Sequence, residues 1–150
     1  MTTVYAVLLL AAAVQSGSSD LAVPGALITI PSGCTGSVTR GIDTVRGTVE
    51  CAKARLTIHL EGGGMYPDVC GLFQSEATGQ PASTAGNASR FVTKHGIDIA
   101  VCSARGRSGQ PELAVGVNRG LLTLWAVPAS PQAIAIVMSI AESYRTESKK

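Results

Sequence analysis

The chain is short of charge and of histidine, and it lacks the common catalytic signatures. Charged residues are 15% of its 150 residues, against roughly a quarter in ordinary soluble domains. Its 12 basic and 10 acidic side chains leave a formal charge of +2 and nowhere form a run. A nucleic-acid partner is excluded on that ground, since replacing the counterions of a phosphate backbone takes a stripe of Lys and Arg. Histidine, the commonest general base, occurs only as His59 and His95. No G-x-S-x-G is present, and glycine-flanked serines such as Ser32 and Ser108 sit in turn sequences, so an activated serine is not indicated. G-x-x-x-x-G-K-[ST] is absent, and no helix pattern follows Gly62-Gly63-Gly64, so a phosphate cradle fails its structural test. Intrinsic disorder is excluded too, because hydrophobic residues reach 45%.

What is present points outward from the cell. Val4 to Val14 is apolar, and eleven helical residues span about 16 Å, half of a bilayer core of about 30 Å. The small polar stretch from Gln15 to Asp20 follows. Residues 1–20 therefore read as a signal peptide, with cleavage after Ser16 and the α-amino group of Met1 as the sole n-region charge. Four cysteines, Cys34, Cys51, Cys70 and Cys102, lie beyond it at spacings that contain no C-x-x-C, so a zinc ribbon or thioredoxin-like site is not expected. An even count suits two disulfides in an oxidising compartment. Three connectivities are open, and loop-closure entropy leans toward Cys34–Cys51 with Cys70–Cys102. The expected location is secreted or periplasmic, with no membrane span after cleavage.

Residues 21–145 are expected to form a single domain, with a polar tail at residues 146–150. Period-two alternation marks strands at Ala26-Leu27-Ile28-Thr29-Ile30, at Gly47-Thr48-Val49-Glu50-Cys51 and from Ala54 to Leu60, with a turn near Ala52-Lys53. Periodicity is lost over residues 61–87, an unusually long loop for a compact domain. A meander follows from Phe91 through Val101, Leu113 to Val117 and Leu121 to Val127, with glycine-bearing turns between. Ser130 is a natural N-cap and Pro131 a natural first helical residue, opening an amphipathic helix to about Arg145. The predicted fold is α+β: an antiparallel sheet of about six strands with one C-terminal helix packed on it.

The turn Gly41-Ile42-Asp43-Thr44-Val45-Arg46-Gly47 and the strand Leu56-Thr57-Ile58-His59-Leu60-Glu61-Gly62 together resemble a group of uncharacterised bacterial exported proteins. In that group a G-I-D-S-x-x-G-like turn precedes an L-x-I-x-x-D-x-G strand. The sequence departs from the pattern at Thr44 and Glu61. The resemblance implies export and the α+β fold, and it brings no activity.

Asp43 and Gly47 are expected to shape the turn, Asp43 by accepting backbone N–H groups. His59 and Glu61, two apart on one strand, point the same way and with Asp68 make the one candidate polar site. Asn87-Ala88-Ser89 matches a glycosylation acceptor, and the Arg105–Gly109 turn could hold a small anion. No cofactor, metal site or catalytic residue is assigned. The expected function is that of an exported, disulfide-stabilised, non-catalytic domain that binds a protein or cell-envelope partner. The alternative is a small hydrolase or metal-dependent enzyme using His59, Glu61 and Asp68.

Overall fold

The computed structural model describes residues 17–63, 69–70, 87–105 and 109–147. Among the described residues, ten strands form two sheets with one long helix packed on them. The strands are β1 (Ser19–Val23), β2 (Ala26–Ile30), β3 (Cys34–Arg40), β4 (Val45–Cys51), β5 (Leu56–Gly62), β6 (Asn87–Val92), β7 (Asp98–Arg105), β8 (Pro111–Val117), β9 (Leu122–Ala126) and β10 (Arg145–Thr146). Helix α1 is Pro131–Glu142, and a 3₁₀ turn at Ala52–Ala54 joins β4 to β5. The large sheet runs β3-β4-β5-β9-β8-β7-β6 and the small one β1-β2-β10, with every pairing antiparallel.

Alternation divides the large sheet cleanly. Val49, Ile58, Leu124 and Val115 point to one face and are fully buried. Ile28 and Ile30 of β2 and Val137 and Ile140 of α1 join the same core. The small sheet and the helix are thus the cover of that inner face. Each such side chain removed from water contributes about 2 kcal/mol. The helix starts where the Ser130 hydroxyl accepts from the Ala133 N–H at 3.1 Å. It stops at Ser143, whose Oγ donates to the Ile140 carbonyl at 2.6 Å and accepts from the Thr29 N–H at 2.8 Å. That one hydroxyl sutures the helix end to β2.

Two disulfides pin the sheet. Cys34 and Cys51 are direct cross-strand partners on β3 and β4, and Cys70 is bonded to Cys102 in β7. Closing loops of 17 and 32 residues restricts the unfolded chain by about 3 kcal/mol each.

Several expectations need correction. The fold starts at Ser19, inside the 1–20 span read as a signal peptide, because Asp20 pairs with Thr29 and bonds Arg145. Residues 1–16 lie outside the described set. The α+β architecture, an antiparallel sheet with one C-terminal helix packed on it, is as expected; the large sheet has seven strands rather than about six, and β1, β2 and β10 form a second sheet beside it. The helix ends at Glu142 rather than about Arg145, and Thr146, assigned to the tail, pairs with Ala26 in β10. Gly47 lies within β4 opposite Val38, not in the turn. The turn before it is closed by the Gly41 N–H donating to the Thr44 carbonyl at 2.7 Å, with Asp43 exposed. No helix of the described residues is long and apolar enough to cross a membrane.

Gly47 is required by close approach. A Cβ there would sit 2.2 Å from the Ser37 carbonyl oxygen and 2.9 Å from Val38 Cγ1. Backbone cannot yield as a flexible side chain does, so Gly47→Ala should lower unfolding free energy by about 3 kcal/mol, read from a denaturant titration. Arg145 donates to Asp20 at 2.7 Å and to the Thr29 hydroxyl at 3.0 Å. Hydrogen bonds from Arg145 and then Thr29 hold the Asp20 carboxyl below its ordinary 3.8. A lowered carboxylate stabilises above its unfolded value and loses that effect as pH falls toward the folded one. Asp20→Asn should therefore reduce the urea midpoint near neutrality, and the gap to the parent should close well below pH 3.8.

Candidate functional site

The outer face of the large sheet carries the polar half of the alternation, and it is covered only in part. Over β7 and β8, Val69 packs with Cys102, Ala104 and Ala114, and Trp125 of β9 borders that cluster. Gly116 makes the seat, since a Cβ there would lie 2.5 Å from Val69 Cγ1. The adjacent disulfide Cys70–Cys102 fastens this cover to the sheet. Over β3, β4 and β5 the face is open, with Thr35, Ser37, Thr39, Arg46, Glu50, Thr57 and His59 all exposed.

Register fixes which of these meet. One row across the strands is Thr35, Glu50, Thr57; the next is Ser37, Thr48, His59, Trp125; the third is Thr39, Arg46, Glu61, Thr123. His59 and Glu61 do share the outer face, as their spacing requires. Asp68 lies outside the described residues. Asp98 is on β7, three strands from β5 in the sheet order. There it accepts from Arg90 Nε at 2.8 Å, and that bond holds its carboxyl below the ordinary value. It is committed to tying β6 to β7. His95 sits in the turn Thr93–Gly96, where the Thr93 hydroxyl accepts from its N–H at 3.3 Å. The glycosylation-like Asn87 opens β6, and the tip of the Arg105–Gly109 turn lies outside the described residues.

The third row holds the strongest polar anomaly. Glu61 is 14% exposed at its side chain, and its Oε1 lies 3.6 Å from Arg46 Nε, too far for a hydrogen bond. Directly opposite, Thr123 is 1% exposed. Among the described residues neither Glu61 Oε1 nor Thr123 Oγ1, both buried, has a hydrogen-bond partner. A buried hydroxyl that nothing bonds costs about 1–3 kcal/mol. Sequence reasoning passed over Thr123 because it reads as one more alternating strand residue.

At the opposite end of the open face is a dent of about 290 Å³. Thr35, Glu50, Arg55 and Thr57 line it, and Cys51 and Leu56 contribute to its wall. Arg55 follows the 3₁₀ turn with φ 49°, a left-handed conformation that glycine adopts with least strain. The chain keeps an arginine there at some backbone cost. A second cavity, about 440 Å³, lies between Thr29, His95 and Tyr144 at the helix end. Its Ser143 and Arg145 groups are already engaged in suturing the helix and β10 to β2. Among the described residues no group of three or more His, Cys, Asp or Glu side chains could hold a metal ion.

Compared with family models, with curated proteins and with solved structures, the chain matches none. The reading of the site therefore stands on its own geometry. Replacing the buried hydroxyl by an isosteric methyl tests the anomaly directly. Thr123→Val should raise the unfolding free energy by about 1 kcal/mol in a denaturant titration, and a loss of stability would mean that Oγ1 has a bound partner.

Proposed function

We propose that this chain is an exported, disulfide-clamped binding domain that meets a cell-envelope partner through the open outer face of β3, β4 and β5. The observation that carries the reading is the asymmetry of the large sheet. Its inner face is covered over β4, β5, β8 and β9, Val69 and Cys70 are stapled on its outer face over β7 and β8, and among the described residues the outer face of β3, β4 and β5 is exposed and polar. A rigid sheet presenting fixed polar groups is a pre-organised surface, which lowers the entropic cost of association. Export is supported by the apolar segment before residue 17 and by two disulfides, which persist in oxidising compartments.

The catalytic alternative finds less support. His59 has Thr48 and Trp125 as its cross-strand neighbours, neither of which can orient an imidazole as a carboxylate does. Glu61 is drawn toward Arg46 and Thr123.

Two measurements test the proposal. Protein recovered from its native source should begin after Ser16 and show no alkylatable thiol until reduced; an intact Met1 with four reactive thiols would contradict export. Washed envelope material should retain the parent chain, whereas Thr57→Glu combined with His59→Glu, both at exposed positions, should abolish retention at unchanged thermal midpoint.

A further inference from the structure

We infer that one end of the large sheet is a contact surface for an anionic lipid bilayer, into which Ile42 and Leu121 reach from their turns. The inference concerns this end alone and is independent of the open outer face. Antiparallel order brings three turns to it: residues 41–44 between β3 and β4, 118–121 between β8 and β9, and 93–97 between β6 and β7. Close contacts join them. The Gly63 N–H donates to the Leu121 carbonyl at 3.1 Å, and a Cβ at Gly63 would lie 2.8 Å from the Asp43 carbonyl oxygen. The Asn118 N–H donates to the Asp98 carbonyl at 2.7 Å, tying the β8-β9 turn to the start of β7.

Apolar exposure is concentrated at this end. Ile42, at the tip of the β3-β4 turn, is 100% exposed. With Leu121, Phe91 and Val92 it makes four of the six exposed large hydrophobic side chains among the described residues. Single exposed aliphatics are ordinary on a protein surface, but a group of them at one end marks a contact. Cations accompany them. Glu61 and Asp98 are matched by Arg46 and Arg90, and no ion pair among the described residues engages Arg40, Lys94 or Arg119. Against these three stand Asp43 and, at the Gly25 turn of the small sheet, Glu147. Arg119 also lines an open depression of about 630 Å³ with Arg90, Phe91, Val92 and Asp98. A guanidinium next to apolar carbon suits a lipid, whose phosphate adjoins its hydrocarbon.

The turns also pair their own backbone groups. The Gly41 N–H donates to the Thr44 carbonyl at 2.7 Å, Gly96 to Thr93 at 2.9 Å and Leu121 to Asn118 at 3.4 Å. Groups already paired can enter a poorly hydrated boundary without giving up a water partner. Other occupants fit less well. A protein partner needs a continuous surface of about 800 Å², whereas these side chains stand on separate turns, between which a fluid lipid surface can settle. A second copy would bring like charge against like. A few aliphatics and cations give weak, reversible attachment. The contact therefore orients the domain on a bilayer and does not by itself survive washing, which leaves the outer face of β3, β4 and β5 to its own partner.

The full chain with both disulfides formed should float with vesicles of equal parts phosphatidylcholine and phosphatidylglycerol, and not with phosphatidylcholine alone. Added salt should release it, because the attraction between surface charges is screened. Ile42→Asp should weaken the partition about tenfold, and Arg40→Gln and Lys94→Gln about fivefold each. All three positions are exposed, so the thermal midpoint should hold. Thr57→Glu combined with His59→Glu should leave vesicle binding unchanged, which separates this surface from the outer face. The inference is overturned if no vesicle binds, if neutral vesicles bind equally well, or if Ile42→Asp and Arg40→Gln partition as the parent does. Loss of vesicle binding in the Thr57→Glu, His59→Glu chain moves the contact to the outer face and overturns it as well. A protein captured by the parent and lost by Ile42→Asp, with no vesicle binding, replaces the bilayer by a polypeptide partner.

Discussion

Apolar side chains at alternate positions of β4, β5, β8 and β9 can leave water only if something covers the inner face of the seven-stranded sheet over those strands. A single helix of 12 residues is about 18 Å long, while seven strands spaced at about 4.8 Å make a wider sheet than that. The β1-β2 hairpin supplies the missing cover, and its position is secured where the chain ends meet. Ser143 holds β2 to the end of the helix, and Arg145 reaches both Thr29 and Asp20. The first and last described segments of the chain are therefore one structural unit, joined across more than a hundred residues of sequence.

Covering one face with both ends of the chain leaves the other face to the middle of the chain. The segment carrying Val69 and Cys70 is bonded onto β7 and β8, and it reaches as far as Trp125. Beyond that border the outward side chains of β3, β4 and β5 are mostly exposed. The first strand of the sheet, β3, turns Thr35, Ser37 and Thr39 outward and packs Val38 and Cys34 against the core, and the Cys34–Cys51 disulfide ties it to β4. Glu61 and Thr123, whose Oε1 and Oγ1 have no hydrogen-bond partner among the described residues, lie between the covered and the open parts of this face.

Much of the scaffold was legible before the structure. Ser130-Pro131 announced the helix start, glycine turns announced the β7-β8-β9 meander, and an even cysteine count with short loop closures agreed with Cys34–Cys51 and Cys70–Cys102. The edge and capping strands were not. β3 has Val38 as its one aliphatic side chain, β10 is two residues long, and β1 lay inside a stretch whose composition suits a leader. Pro24-Gly25, a turn pair between them, was the available signal for the β1-β2 hairpin. The candidate site was half legible: a spacing of two places His59 and Glu61 on one face, but nothing local says which strands lie beside them.

Local chemistry settled what depends on neighbours within a few residues: period-two faces, the helix cap, the turns and the pairing of sulfurs over short loops. The neighbours of β5 are β4, next to it in sequence, and β9, some sixty residues on. Only burial of the shared inner face selects β9 as that partner, and that selection sets Trp125 against His59 and Thr123 against Glu61. Cross-strand pairing is a long-range consequence of where apolar surface can be hidden. The rows of the outer face therefore exist only in the folded chain.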